Sequence, residues 1–229
     1  GGGGFMVVYL KDQNKTLTID YREKAPSAAH RDLFLNEEGE YDRKKAQFSL
    51  LSAGVPGSVA GFHHALINYG TLSWQEVIQP SSELAEKGFL IPHDLANTLA
   101  SKRYRERLSS DPAASKVFYK DDGSLYSAGE LLIQKDLALT LKQISEQGPD
   151  AFYKGKIAKL IVREMEKNGG LITLDDLENY NIVERDPVVG TYKDFKIVSM
   201  PPSSSGGTHL IQMLNMLEEF PIKDMGFGS

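Results

Sequence analysis

Cysteine is missing from all 229 residues. That excludes structural disulfides, thiolate catalysis and cysteine metal sites, and it leaves cytosol and periplasm equally open. A basic excess is missing too. There are 26 Lys and Arg against 31 Asp and Glu, a formal net charge of -5, so there is no electrostatic footprint for nucleic acid. The one basic cluster, Lys102 to Arg107, alternates with polar residues and reads as a solvated helix face. No apolar run reaches the ~18 residues of a membrane helix, so no membrane span is expected, and no signal peptide is visible. The chain opens "GGGGFMVVYL" without an initiator methionine, and we expect an internal piece of a longer protein.

What is present suits a packed protein. Hydrophobic residues make up 41% of the chain and charged residues 25%, enough for one large domain with a real core. Phe5 to Leu10 is apolar on both faces, as in a buried central strand. After the turn "KDQN", Lys15 to Tyr21 alternates, with Leu17, Ile19 and Tyr21 on one face. The two read as an antiparallel hairpin that ends before Pro26. The middle is helical. Val59, Phe62, Leu66 and Tyr69 keep helix spacing, with Gly70 as the C-terminal cap. Further helices are predicted over 74–86, 93–107 and 137–146. A longer one starts near Pro149 and stops before Gly169, with Ile157, Leu160, Ile161 and Met165 as its apolar stripe. "TLDD" at Thr173 to Asp176 has the form of a capping box. Two short strands follow, and a last helix from about Thr208 is predicted to bury Leu210, Met213, Leu214 and Leu217. Strands at both ends with helices between indicate an α+β arrangement.

Four groups of residues invite a chemical reading. Ser203, Ser204 and Ser205 lie on a strand-to-helix loop, "PPSSSGG". A serine nucleophile needs a base and oxyanion donors. The G-x-S-x-G elbow is absent, and His209, the nearest base, sits on the helix facing elsewhere. The loop also lacks the lysine of a phosphate loop. It reads as a tight turn whose serines cap backbone donors. His63 and His64 are adjacent, about 100° apart on a helix, and cannot chelate one ion together. The acid pairs Asp175–Asp176 and Glu218–Glu219 sit at helix ends or on exposed faces and need no catalytic role. Arg22, at a strand end between Asp20 and Glu23, is different. A fixed guanidinium offers a carboxylate two parallel donors. A salt bridge to Asp20 or Glu23 explains it as well, and the residues alone leave both readings open.

Taken together, "GGGGF", "DYREKAP", "AGVPGSVAG", "GPDAFYKG", "KNGGLITLDDL" and "MPPSSSGGTHLIQMLN" resemble the gamma-glutamyltranspeptidase (glutathione hydrolase) family of bacterial type, in family order across essentially the whole chain. Each stretch is weak by itself and the set is specific. Two positions depart from the family pattern: Ser203 stands where a third proline is common, and Ser58 where threonine is usual.

The resemblance implies an N-terminal-nucleophile hydrolase fold, an αββα sandwich incomplete in this chain. Residues 1–229 would be a single domain, most of the large subunit of a self-cleaving precursor. The small subunit of that precursor would be the partner and would carry the N-terminal threonine nucleophile. The implied activity is gamma-glutamyl transfer and hydrolysis on glutathione and related compounds, with water or an amino acid as acceptor. No catalytic residue, metal or cofactor is then expected in this chain, which by itself would be inactive. The substrate-binding residue that carries over is Arg22, as holder of the gamma-glutamyl alpha-carboxylate. The resemblance also implies a periplasmic or secreted protein. Alternatives are an acylase or poly-gamma-glutamate transferase of the same fold, or a non-catalytic binding module lacking the nucleophile.

Overall fold

The computed structural model describes residues 2–228, and its backbone falls into two compact units. One runs up to Thr71 and resumes at Pro149; the other is Leu72–Gly148. Seven strands are formed: β1 (Phe5–Leu10), β2 (Lys15–Asp20), β3 (Phe89–Leu90), β4 (Leu131–Leu132), β5 (Val183–Arg185), β6 (Val188–Tyr192) and β7 (Phe195–Ser199).

In the first unit β1 and β2 form the expected hairpin, with Phe5 opposite Asp20 and Leu10 opposite Lys15. The turn is a single 3-10 turn, Lys11–Gln13, closed by Asn14 in the left-handed region at φ 47°. Asparagine tolerates that region because its short polar side chain bonds locally. β5 joins the other edge of β2, with Thr18 opposite Arg185. The sheet order is β1-β2-β5, and β6 and β7 form a separate antiparallel pair. So "VERDPVVGTYKDFKIVSM" holds three strands, not two, because the two residues before Val188 break the run. Among the described residues β1 is an edge strand with Val7 and Tyr9 exposed, whereas its sequence predicts a strand buried on both faces.

Leu17, Ile19 and Tyr21 of the hairpin pack with Met6, Val8, Leu10, Ala65 and Tyr69. The opposite face of β2 is closed as well: Thr18 is fully buried, and its hydroxyl donates to the Arg185 carbonyl at 2.8 Å. A second cluster joins Val55, Tyr153, Ala158, Ile172, Leu177 and Tyr180.

The helix Ser58–Tyr69 forms where its spacing predicts. Gly70 ends it with an extended backbone, φ -89° and ψ 169°, so it is no left-handed cap. Glycine suits the position because a Cβ would meet the Leu66 carbonyl oxygen at 2.7 Å. The helix predicted from Pro149 is two, Asp150–Tyr153 and Lys156–Asn168, separated at Gly155. In the second of these Leu160 is exposed, and Val162 packs on the core beside Ile161 and Met165. The helix Gly206–Glu218 forms, but Leu210, Met213 and Leu217 are 42%, 51% and 42% exposed among the described residues. The prediction that this stripe is buried fails here because what the helix packs on, β6 and β7, meets only one narrow side of it.

In the second unit the helices Trp74–Lys87 and Lys135–Gln147 pack together. The Trp74 indole N–H donates to the Ile144 carbonyl at 2.8 Å. The helix predicted over 93–107 is broken at Ser101, giving His93–Ala100 and Lys102–Ser109. The Ser101 hydroxyl caps the first by donating to the Thr98 carbonyl at 2.8 Å. β3 and β4 form a two-residue ladder. No helix among the described residues is long and apolar enough to cross a membrane.

Candidate substrate-anchoring site

Arg22 lies two residues beyond the end of β2, and its backbone is fixed on every side. Its N–H donates to Asp20 Oδ1 at 3.1 Å. Its carbonyl accepts from the Tyr180 hydroxyl at 2.7 Å. Before it, Tyr21 exchanges backbone hydrogen bonds with Gly4 at 3.0 and 3.3 Å. After it, Lys24 pairs with Val55 through bonds of 2.8 and 3.2 Å. Further on, the Ser27 N–H donates to Asp176 Oδ1 at 2.8 Å.

The glycines around this segment are close-approach residues. A Cβ on Gly3 would lie 2.4 Å from the Tyr21 carbonyl oxygen, and one on Gly61 2.3 Å from the Tyr21 ring. At Gly57 it would meet both the Tyr180 hydroxyl, at 2.0 Å, and the Tyr21 carbonyl oxygen, at 2.1 Å. Only a residue without a side chain lets the backbones come this near. The N–H groups of Gly57 and Ser58, unpaired at the start of their helix, donate to the Gly2 carbonyl at 2.7 and 3.1 Å.

Tyr180 is itself held. Its ring stacks on Tyr153 at 5.6 Å between centres, and the Lys24 ammonium lies 5.2 Å from the centre of the Tyr180 ring. The Tyr153 hydroxyl donates to the Pro56 carbonyl at 2.8 Å. Burial pushes the Tyr153 phenol up to about 12 and raises Tyr180 further, with the Tyr153 hydroxyl and the Asp20 and Glu23 charges adding to it. Both stay protonated donors at neutral pH. The capping box at Thr173 forms as predicted, with Asp176 as its acidic member. Burial pushes the Asp176 carboxyl up, but the Ser27 and Thr173 donors outweigh it and hold the group below its ordinary value.

The Arg22 side chain is the opposite of its backbone. It is exposed, and no carboxylate within salt-bridge distance belongs to the described residues. Its guanidinium lies 5.6 Å from the centre of the Phe5 ring. Asp20, which is 9% exposed, is occupied by Arg185, whose Nε and Nη2 both reach Oδ2 at 3.1 Å. Among the described residues Arg22 forms no ion pair with Asp20 or Glu23, and Asp20 is paired with Arg185 instead. Arg22 borders an open cavity of about 360 Å³. Asp20, Glu23 and Lys24 line it from the same segment, Val183 and Arg185 from β5, and Ser203 from the serine loop. Arg185 has no sequence signal of its own: 165 residues separate it from Asp20, and only the pairing of β5 with β2 brings them together.

The three serines form a turn. The Ser204 N–H donates to the Pro201 carbonyl at 3.1 Å, and its Oγ accepts from the Gly206 N–H at 3.2 Å. Ser205 stands at the helix start without a side-chain cap. A Cβ on Gly207 would sit 2.4 Å from the Met200 carbonyl oxygen, so this glycine allows the helix its close packing on the strand exit. No side-chain hydrogen bond joins His209 to a serine among the described residues. His64 Nε2 instead lies 2.7 Å from Glu184 Oε1, an acceptor also for the Tyr69 hydroxyl. Among the described residues no group of three or more His, Asp or Glu side chains could hold a metal ion.

The family model for gamma-glutamyltranspeptidase matches residues 1–229. The chain belongs to the gamma-glutamyltranspeptidase family. It is 48% identical over its whole length to the glutathione hydrolase proenzyme of Escherichia coli K12, spanning 39% of that protein. It is 37% identical to the acylase ACY 1 proenzyme of Pseudomonas sp. V22, spanning 41% of it. Among solved structures, the gamma-glutamyltranspeptidase of Helicobacter pylori superposes over the whole chain and 65% of its own, with a TM-score of 0.96 and 45% identity. That of Pseudomonas nitroreducens, complexed with L-DON, covers the same shares at a TM-score of 0.88 and 34% identity. The chain thus spans about two fifths of these curated relatives. Its fold is α+β, of the N-terminal-nucleophile hydrolase type found in gamma-glutamyltranspeptidases, of which it supplies a part.

Proposed function

We propose that the protein containing this chain transfers and hydrolyses gamma-glutamyl groups, and that Arg22 anchors the alpha-carboxylate of the substrate. The observation that carries this is the contrast at Arg22: a clamped backbone and an unpaired guanidinium on a cavity. A carboxylate entering that cavity loses water, and a guanidinium returns two parallel charge-assisted hydrogen bonds. Residues 1–229 act as most of the larger subunit. The attacking threonine, at the new N-terminus of a smaller subunit cut from the same precursor, uses its own amine as base and forms an acyl-enzyme. Water or an amino acid then takes the acyl group. We place the protein in the periplasm or outside the cell, as the family resemblance implies. No step needs a metal or cofactor.

A second reading, an acylase on the same fold, is favoured by the 37% identity to acylase ACY 1. The two separate on substrate, since an acyl group without an alpha-carboxylate gains nothing from Arg22.

The test is Arg22→Ala in the whole protein, assayed by release from a gamma-glutamyl p-nitroanilide. Leaving a buried carboxylate unpaired costs roughly 2–5 kcal/mol, so kcat/KM should fall on the order of 30-fold to several thousand-fold. Arg22→Lys should recover little, because an ammonium offers a point charge and not a fork. Subunit processing should be normal. A kcat/KM within about threefold of the parent, ~0.7 kcal/mol, refutes the anchor. The isolated chain should show no turnover, and turnover abolished by Ser204→Ala would overturn the nucleophile assignment.

A further inference from the structure

We propose that Arg185 is a positioning residue for the anchoring site: by occupying the Asp20 carboxylate it keeps Arg22 free for the substrate. The inference rests on the reading of Arg22 as the anchor and adds to it the reason the anchor is available. Asp20 and Arg22 are two apart at a strand end, so their side chains leave the same side of the backbone. Both border the same cavity. A carboxylate beside an exposed guanidinium is its natural partner. Two things prevent that capture. Asp20 Oδ1 is taken by the Arg22 N–H at 3.1 Å. Asp20 Oδ2 is taken by Nε and Nη2 of Arg185, both at 3.1 Å.

Arg185 is itself well placed to stay. Its backbone carbonyl accepts from the buried Thr18 hydroxyl at 2.8 Å, and its strand pairs with β2 at that residue. Glu23, the other neighbouring acid, also borders the cavity but makes no ion pair with Arg22 among the described residues. A Cβ built on Gly2 would lie 2.0 Å from Glu23 Oε1, which puts that carboxylate against the glycine stretch.

Removing the Arg185 charge therefore frees Oδ2, and Arg22 closes on it. Substrate must then displace an internal carboxylate before it binds. This raises KM and leaves the chemical step alone. Replacing Asp20 by Asn at the same time removes the competing charge while keeping an oxygen for the Arg22 N–H.

The experiment compares Arg185→Met, Arg185→Lys and the double variant Asp20→Asn/Arg185→Met in the whole protein, beside Arg22→Ala, on a gamma-glutamyl p-nitroanilide. We expect Arg185→Met to raise KM at least about tenfold, ~1.4 kcal/mol, with kcat within about threefold. Arg185→Lys should fall between Met and the parent, since one donor holds Oδ2 less firmly than two. The double variant should return most of the KM loss. A parental KM in Arg185→Met overturns the proposal, as does a double variant no better than the single one. Should Arg185→Met fail to fold, Arg185→Lys decides: a KM equal to the parent's overturns it. An Arg22→Ala variant of parental kcat/KM sinks the anchor itself. Impaired Arg22→Ala beside an unaffected Arg185→Met sinks this inference alone.

Discussion

Two strand exits in this chain look alike in sequence and differ in kind. Tyr21 to Lys24 and Met200 to Gly207 both leave a strand, and both meet glycines that permit backbone contact at the packing limit. The serine loop is held by its own neighbours, through bonds spanning two to four residues. The arginine segment is held by residues far away in sequence, namely Gly4, Val55 and Tyr180. A turn that organises itself needs nothing from the rest of the fold. A segment tied down by three remote stretches takes its shape only once the fold around it is complete.

The strongest way to break this comparison is to put a methyl group into each exit. Gly57→Ala drives a Cβ into two oxygen atoms that cannot retreat without moving Tyr21 and Tyr180. Overpacking of that kind costs about 1–3 kcal/mol and at times more. Gly206→Ala meets only Ser204 Oγ, at 3.4 Å, and should change stability by less than about 0.5 kcal/mol. Thermal unfolding of the two variants of the whole protein measures the difference. Equal losses would mean that the arginine segment is no more constrained than the serine turn.

The next effect is smaller and depends on pH. Asp176 holds both its own helix start and the Ser27 N–H, and its folded-state pKa is lowered. Its contribution is therefore complete above the unfolded carboxylate range near pH ~4 and disappears as the pH falls through the lower folded value. Asp176→Asn should lose on the order of 1 kcal/mol at pH 7. It should also show a flatter decline of melting temperature below about pH 4 than the parent. Parallel declines would show that another carboxylate governs the acid limb.

The smallest expected effect sharpens the other side. Ser204→Ala removes one exposed acceptor for the Gly206 N–H. A bond of that kind contributes about 1 kcal/mol or less, and kcat/KM should stay within about twofold of the parent. A larger kinetic loss would give the serine loop a part in catalysis.

Much of this was legible in the residues, and what was missed has a common cause. The β1–β2 hairpin and the Thr173–Asp176 capping box are local patterns, and they form as written. The break at Ser101 was hidden because apolar spacing continues through it, while the capping hydroxyl acts only once the helix has stopped. The exposure of Leu210, Met213 and Leu217 could not be read either, since periodicity marks a face without saying what it meets. Arg22 could be singled out by its place at a strand end, but not decided. That Asp20 pairs with Arg185 could not be read, because the partner lies 165 positions away.

The arginine segment is gripped by its main chain. The bonds that hold Arg22 run to its N–H and its carbonyl, and neither depends on which side chain the residue bears. Almost any amino acid there would be presented at the same point and the same angle. The chemistry of this cavity wall can therefore change by single substitutions that leave folding untouched. Position 22 is a socket for redesign, where one side chain can be exchanged for another without rebuilding the frame.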